Sequence, residues 1–201
     1  KSTWQDFNQQ FKAGLNMVMS GITYWTTDIG GFGSGDTTDP NFRELIVRWF
    51  QWGAFCPLFR LHGDRKGPKW PPGDPGVCGQ TASNEVWMFG DQSEAAIVTV
   101  MRMREQMRPY VMEQCAAPSR DGTPIMRPLF YDFHNDTRSA GVDDEMMFGP
   151  DYLVAPVLKK VSSIECFFFF VQVHVSQRSL LSPFFWSFLT TKLMKNIDEP
   201  K

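Results

Sequence analysis

The chain has 201 residues, of which 42% are hydrophobic and 21% charged, a balance typical of a globular protein with a sizeable core. Its formal net charge of −2, with lysine and arginine scattered, predicts neither a nucleic-acid partner nor an anionic membrane partner. The four cysteines form no CxxC pair, so no zinc framework and no dense disulfide scaffold is predicted. The opening KSTWQDF has no secretory leader and no initiating methionine, from which we expect a piece of a longer protein.

A helix and a strand are predicted first along the chain. Ser2 and Gln5 fit a capping box, and apolar residues at helical spacing predict an amphipathic helix over 3–20. The run 22–26 is β-branched and aromatic and lies between glycines, which predicts a short buried parallel strand. Asp28 comes directly after this strand.

A second helix and a second strand follow in the same order. Asp39 is a favourable N-cap with Pro40 in the first turn, and the apolar spacing predicts a helix to Gly53 with one apolar face. The run 57–62 predicts another strand, which ends at His62. This order is typical of βα units in a parallel sheet, and in a (β/α)8 barrel the carboxyl ends of the strands form the active-site face.

A long segment rich in glycine and proline comes next. Residues 64–83 show no regular pattern, and loops of this length are typically lids, binding loops or disordered segments. Asp64, Trp70 and Asp74 fit the entrance of a binding site, although a solvated loop is the more common explanation for such residues.

The remaining pattern predicts one long helix and several strands. The helix extends from 84 to about 115, with a break near Gly90 and a kink or end at Pro109. A strand over 124–131 and a β pair within 146–158 follow.

Five separate blocks of the sequence resemble one known family. They are, in order, YWTTDIGGF, RWFQWGAFCPLFRLHG, RPYVMEQ, GTPIMRPLFYDF and MFGPDYLVAPVL. Together they resemble glycoside hydrolase family 31, the α-glucosidase and α-xylosidase group, and the last two are most similar to bacterial and fungal α-xylosidases. The resemblance implies an α/β fold, with the second half of a (β/α)8 TIM barrel over residues 1–140 and the start of a β-sandwich domain over 141–161.

The resemblance also implies retaining hydrolysis of an α-linked xyloside or glucoside, with no cofactor and no metal. Such a mechanism needs two carboxyl groups about 5–5.5 Å apart. In the family both are aspartates upstream of these blocks, the nucleophile in a W-x-D-x-x-E motif that this sequence lacks and the acid/base in a Gly-Asp motif directly before an STW helix start. Gly35-Asp36 has no such helix behind it and is interpreted as loop. We therefore expect no catalytic residue in the chain, and no activity from the chain alone.

Sugar-binding residues are implied position by position. Asp28 matches the family's acid that hydrogen-bonds sugar hydroxyls in the −1 subsite, Phe32 matches an aromatic of the same loop, and His62 matches the His of the R-x-H block. Trp25 and Arg60 fit either the site or its scaffold. A carboxylate accepts hydroxyl donors and an aromatic face covers the apolar side of a pyranose. Without the family context, an acid before two glycines is more often a turn residue, and a lone His is more often structural.

Residues 162–201 depart from the family pattern. Val161-Ser162 is what the splice-donor hexamer GTAAGT encodes in frame, so we interpret the tail as intron read-through and assign it no function.

Two other functions of the chain stay open. The first is a non-catalytic carbohydrate-binding module or pseudoenzyme. The second is a metal-dependent barrel hydrolase. It is less favoured because a catalytic metal normally has three protein ligands and only His62 and Asp28 are available near the strand ends. The sequence indicates neither compartment nor oligomeric state.

Overall fold

The computed structural model describes residues 1–69, 71–72 and 82–160, together with the backbone of 173–174. The helices are α1 (Trp4–Met19), α2 (Pro40–Gly53), α3 (Asp91–Gln106), α4 (Arg108–Cys115), α5 (Ala117–Asp121) and α6 (Leu129–Asp132), with 3-10 turns at Val86–Phe89 and Ser139–Gly141. The strands are β1 (Gly35–Asp36), β2 (Arg65–Lys66), β3 (Met126–Pro128), β4 (Met146–Phe148), β5 (Tyr152–Val154) and β6 (Val173–His174). Within these ranges, no helix has both the length and the apolar character needed to span a membrane. The predictions for Trp70, Asp74 and the tail 162–201 fall outside the described residues, apart from the backbone of β6.

Helix α1 begins at Trp4, with its N-cap one residue later than the predicted capping box places it. Thr3 is the N-cap, and its hydroxyl oxygen accepts a hydrogen bond from the Asp6 N–H at 3.1 Å. The predicted Ser2–Gln5 box is wrong, because the Ser2 hydroxyl donates to the Gly33 carbonyl at 2.9 Å instead. The predicted helix itself is confirmed, and its buried residues are Phe7, Phe11, Gly14, Leu15 and Val18.

Helix α2 lies in the middle of the core. Asp39 caps it as predicted, because its carboxylate accepts a hydrogen bond from the Asn41 N–H at 2.9 Å. The prediction of a single apolar face is wrong, since every residue over 45–53 is buried. This includes Arg48, which donates from Nη1 to the side-chain oxygen of Gln51 at 3.2 Å. A helix buried on all sides is covered by neighbouring elements in every direction.

Two extended segments lie parallel to each other, one after α1 and one after α2. The Ile29 N–H donates to the Arg60 carbonyl at 3.4 Å, and Ile29 pairs with Leu61 in an isolated parallel bridge. The predicted strands over 22–26 and 57–62 are wrong as regular strands, because a bridge of this kind is too sparse for a continuous ladder. The parallel direction that βα units require is nevertheless present.

A short parallel pair joins the loops that follow these two segments. Strands β1 and β2 place Gly35 opposite Arg65 and Asp36 opposite Lys66. The sequence predicted loop at both places, and the pairing corrects that prediction over the start of 64–83. Strands of two residues leave no periodic signal, since alternation needs about four residues to be recognised.

The predicted helix from 84 to about 115 is confirmed over most of its length and in both breaks. The chain leaves the helical conformation at Gly90, where φ is +83°. A second break separates α3 from α4, with Pro109 in the first turn of α4. Proline is tolerated there because a first-turn N–H has no partner within the helix. Helix α4 ends at Cys115, as predicted.

The C-terminal part of the described chain is an antiparallel sheet in the order β3-β4-β5-β6. Strands β4 and β5 pair with Phe148 opposite Tyr152, which confirms the predicted β pair. The predicted strand over 124–131 is wrong in its second half, where Leu129–Asp132 form α6. Pro128 explains the change, because it has no N–H to donate to a strand ladder and it is well placed before a helix.

The turn between β4 and β5 requires a glycine. Gly149 has a φ of +61°, and a Cβ there would lie 2.0 Å from the Tyr110 hydroxyl oxygen, which itself donates to the Phe148 carbonyl at 3.0 Å.

We expect Gly149→Ala to lower the free energy of unfolding, measured by urea denaturation, by roughly 2 kcal/mol or more. Gly141→Ala is the control, since a Cβ at Gly141 meets open space. It should change that free energy by less than about 0.5 kcal/mol, and equal losses in both variants would contradict the explanation.

Glu145 gives the fold a pH dependence. Its carboxylate is largely buried, Oε2 has no hydrogen-bond partner among the described residues, and burial together with the neighbouring Asp144 raises the pKa of Glu145. A carboxyl whose folded pKa is raised destabilises the fold increasingly as pH rises from the ordinary Glu pKa of about 4.3 to the raised pKa, and the full cost remains at higher pH. We expect Glu145→Gln to raise the free energy of unfolding at pH 7 and to leave it nearly unchanged near pH 4, as measured by urea denaturation. The exposed Glu113→Gln is the control for the loss of one charge and is measured at the same two pH values.

Candidate functional site

The loop after the first extended segment is a tight turn that depends on its two glycines. The Gly31 N–H donates to the Asp28 carbonyl at 2.8 Å. Gly30 and Gly31 have φ values of +86° and +78°, and a Cβ on Gly31 would lie 2.2 Å from the Lys1 carbonyl oxygen. The turn therefore accepts no side chain at these positions, and it leaves Asp28 at the end of its segment.

An ion pair connects the two extended segments at this end. The Arg60 Nη2 donates to Asp28 Oδ1 at 2.8 Å, and the two side chains are 55% and 28% exposed. A pair this exposed contributes little to stability. It does orient the carboxylate, and a carboxylate has about four acceptor positions, so one ion pair leaves capacity for hydroxyl donors.

An aromatic and an imidazole ring lie together on the loops that follow. The ring centroids of Phe32 and His62 are 5.6 Å apart with an interplanar angle of 49°. Phe32 is 62% exposed, a high value for a phenylalanine, and His62 is exposed as well. The Asp64 N–H donates to the Phe32 carbonyl at 2.6 Å and fixes one loop against the other.

Trp25 lies away from these exposed groups, against the scaffold. A Cβ on Gly14 of α1 would be 2.7 Å from the Trp25 indole Nε1 and 3.0 Å from Met126 Cε, so the indole fills the space beside that helix. Its Nε1 is buried and has no hydrogen-bond partner among the described residues. The contacts of Trp25 are those of a scaffold residue, and a sugar contact by Trp25 stays a prediction.

Arg65 is the residue of this region that the sequence reasoning missed. Its side chain is fully buried, although it stands in a polar segment for which a loop was predicted. Burial lowers the pKa of Arg65 to about 10, and the carboxylates of Asp64 and Asp28 counteract that shift, so the guanidinium is charged at neutral pH. Nothing in the local sequence distinguishes Arg65 from its exposed neighbour Lys66.

The grouped side chains offer the chemistry of a polyol site. Asp28 supplies an acceptor, Arg60 and His62 supply polar partners, and Phe32 presents an aromatic face. Across the described residues, no three His, Cys, Asp or Glu side chains are close enough together to hold a metal ion.

Comparison with protein families divides the chain into two matched regions. Residues 1–114 match the family model described as "Glycosyl hydrolases family 31 TIM-barrel domain", and residues 122–170 match "Glycosyl hydrolase family 31 C-terminal domain". The second match ends within the segment from 162 onward, and the domain boundaries at 140 and 162 stay predictions.

Individual relatives match most of this chain and a small part of their own length. An α-xylosidase of Saccharolobus solfataricus is 38% identical over 154 residues, which are 77% of this chain and 19% of that protein. A family 31 α-xylosidase from a soil metagenome, complexed with xylose, aligns with a TM-score of 0.70 and 46% identity over 79% of this chain and 24% of that one. A Flavobacterium johnsoniae family 31 dextranase, complexed with glucose, aligns with a TM-score of 0.66 and 31% identity over 78% of this chain and 18% of that one. The chain thus spans less than a quarter of these relatives.

Proposed function

Because this chain belongs to family 31 of the glycosyl hydrolases, we propose that it forms the sugar-binding part of an α-glycosidase that removes terminal α-linked xylosyl or glucosyl residues. The observation that carries the proposal is that two side-chain pairs, Asp28–Arg60 and Phe32–His62, both connect the ends of the same two parallel segments. Both pairs lie in the stretch that matches the TIM-barrel family model.

We propose a matching division of the fold. Residues 1–140 form the second half of the (β/α)8 barrel, and residues 141–161 begin the β-sandwich domain. The parallel bridge between Ile29 and Leu61 supports the first assignment, and the antiparallel pairing of β4 with β5 supports the second.

Each grouped side chain has a distinct task in the proposed site. Asp28 accepts hydrogen bonds from two sugar hydroxyls while Arg60 holds its other oxygen in place. His62 supplies a further polar partner to a hydroxyl, and Phe32 covers the apolar face of the pyranose ring. These contacts bind and orient the sugar, and none of them breaks the glycosidic bond.

The reacting carboxyl groups are proposed to come from outside these 201 residues. A retaining mechanism needs a nucleophile and an acid/base about 5–5.5 Å apart, and the family resemblance puts both upstream of the blocks present here. The start of α1 supports the upstream position proposed for the acid/base. There the Ser2 N–H and hydroxyl donate to the Gly33 carbonyl at 3.2 and 2.9 Å. Residues before Lys1 in a longer protein would therefore enter beside the sugar-binding loop.

Two solved relatives with a bound sugar support xylose as the first sugar to test. The α-xylosidase complexed with xylose is 46% identical to this chain, and the dextranase complexed with glucose is 31% identical. A pyranose that lacks the C6 hydroxymethyl group also has one hydroxyl fewer that needs a partner in a site built from one carboxylate, one imidazole and one aromatic ring. We propose an α-xyloside as the first substrate to test and an α-glucoside as the second.

We expect the purified 201-residue chain to release no p-nitrophenol from p-nitrophenyl α-xyloside or α-glucoside, because the two reacting carboxyl groups are missing from it. The measurement is absorbance of the released phenolate against a buffer blank, with an intact family 31 α-xylosidase as the positive control. Turnover that co-purifies with the chain and disappears in Asp28→Asn would contradict the expectation.

We expect the chain to bind xylose weakly and Asp28→Asn to weaken that binding by about tenfold or more, since hydrogen bonds to a charged acceptor contribute about 1.5–3 kcal/mol each. Saturation-transfer NMR titration measures both affinities. Asp91→Asn, an exposed substitution at the start of α3, is the matched control and should bind like the unmodified chain. If Asp28→Asn bound xylose as tightly as the unmodified chain, Asp28 would not be part of the site. Tight, specific binding without turnover would favour a non-catalytic carbohydrate-binding module.

A further inference from the structure

We propose that Arg65 is a positioning residue for the sugar-binding side chains, because its buried guanidinium fixes the loop after Asp28 against the loop that carries His62. The identity of the ligand rests on the proposed function. The positioning itself rests on contacts within the chain and can be tested without any sugar.

The guanidinium of Arg65 uses all five of its N–H donors. Each of its two terminal nitrogen atoms bridges from one loop to the other. The bonds are Nη2 to the carbonyls of Ile29 (2.9 Å) and His62 (3.2 Å), Nη1 to the carbonyls of Gly31 (2.7 Å) and Asp64 (3.1 Å), and Nε to the Asn84 side-chain oxygen (2.8 Å).

Three of the four carbonyls that Arg65 holds belong to the sugar-binding residues or to their immediate neighbours, and the fourth is that of Asp64. Ile29 follows Asp28, Gly31 precedes Phe32, and the third carbonyl is that of His62 itself. Because the peptide unit is planar, fixing a carbonyl also fixes the Cα atoms on both sides of it. The Gly31 and His62 carbonyls thereby fix the Cα atoms of Phe32 and His62, from which both rings leave the backbone, and the Ile29 carbonyl fixes the residue that follows Asp28.

Close packing around the guanidinium leaves room for a flat group only. A Cβ on Gly30 would lie 2.8 Å from Arg65 Nη2, and a Cβ on Gly63 would lie 2.8 Å from Nη1 and 2.6 Å from the Gly31 carbonyl oxygen. The Phe42 ring centroid is 5.2 Å from the guanidinium carbon and covers one of its faces. Lysine keeps the charge but offers three donors on a single nitrogen, so at least two of the five acceptors would lose their partner.

The test compares Arg65→Lys with Arg127→Lys by hydrogen–deuterium exchange of the full 201-residue chain. Arg127 is a matched control because it is also buried and donates to Asp132 and to the Pro124 carbonyl, away from the site loops. In Arg65→Lys, peptides over 28–33 and 60–64 should exchange about tenfold faster relative to peptides of α2, since several hydrogen bonds are lost locally. In Arg127→Lys this ratio should not change.

Asn84→Ala gives a second, milder variant in case Arg65→Lys does not fold. Asn84 accepts the bond from Arg65 Nε and donates to the Gly63 carbonyl at 3.0 Å, and it is only partly buried. Its removal should accelerate exchange in the same peptides by a smaller factor. A xylose titration of each variant then shows whether loosened loops bind more weakly, with about a tenfold loss expected for Arg65→Lys and none for Arg127→Lys.

Each outcome has a definite meaning. Unchanged exchange of the site loops in both Arg65→Lys and Asn84→Ala overturns the proposal. Equal acceleration in every peptide, α2 included, also overturns it, because Arg65 would then stabilise the whole fold rather than the site. If the unmodified chain binds no xylose while Arg65→Lys loosens only the site loops, the proposed function fails and the positioning role of Arg65 stands.

Discussion

Backbone carbonyls that lie beyond the end of a strand ladder need other donors, and in this chain one buried guanidinium supplies them. The two extended segments share one isolated bridge between Ile29 and Leu61 and a hydrogen bond from the Leu58 N–H to the Trp25 carbonyl, and neither reaches the turns that follow. Arg65 replaces the missing ladder with bonds from a side chain. Burying its charge is unfavourable, as its pKa of about 10 indicates, and hydrogen bonds from every one of its N–H donors offset that cost. The shape of the candidate site depends on this replacement.

A second arginine acts on the same segment before it reaches the site. Arg104 of α3 donates to the Ala54 carbonyl at 2.7 Å and to the Pro57 carbonyl at 2.9 Å, where the chain leaves α2. Arg65 then holds the carbonyl of His62 at the other end. The segment between α2 and the site is thus fixed at both ends by guanidinium groups from other elements. A loop residue held in this way keeps its direction without regular secondary structure around it.

The features that could be predicted from the sequence are the local ones. Helical spacing and the Asp39 cap are properties of neighbouring residues, so α1 and α2 were found close to their true ends. The run 22–26 has the composition of a strand, but composition cannot show whether a partner lies beside it, and β propensity reflects that partner. Asp28, Phe32 and His62 were predicted for the site from the sequence of the family blocks. Arg65 was not, because the carbonyls of Gly31 and Ile29 that it binds are 34 and 36 residues away along the chain.

Two aromatic residues of one short motif have different tasks because their surroundings differ. Trp25 faces α1 at the one position, Gly14, where the helix surface has no side chain, and its indole fills the space between that helix and Met126 of β3. The contacts of the Trp25 indole therefore attach the extended segment to the scaffold. Phe32 lies past the glycine turn, where no helix covers it, and its ring remains exposed beside His62. This exposed ring is the one that the proposed sugar would cover.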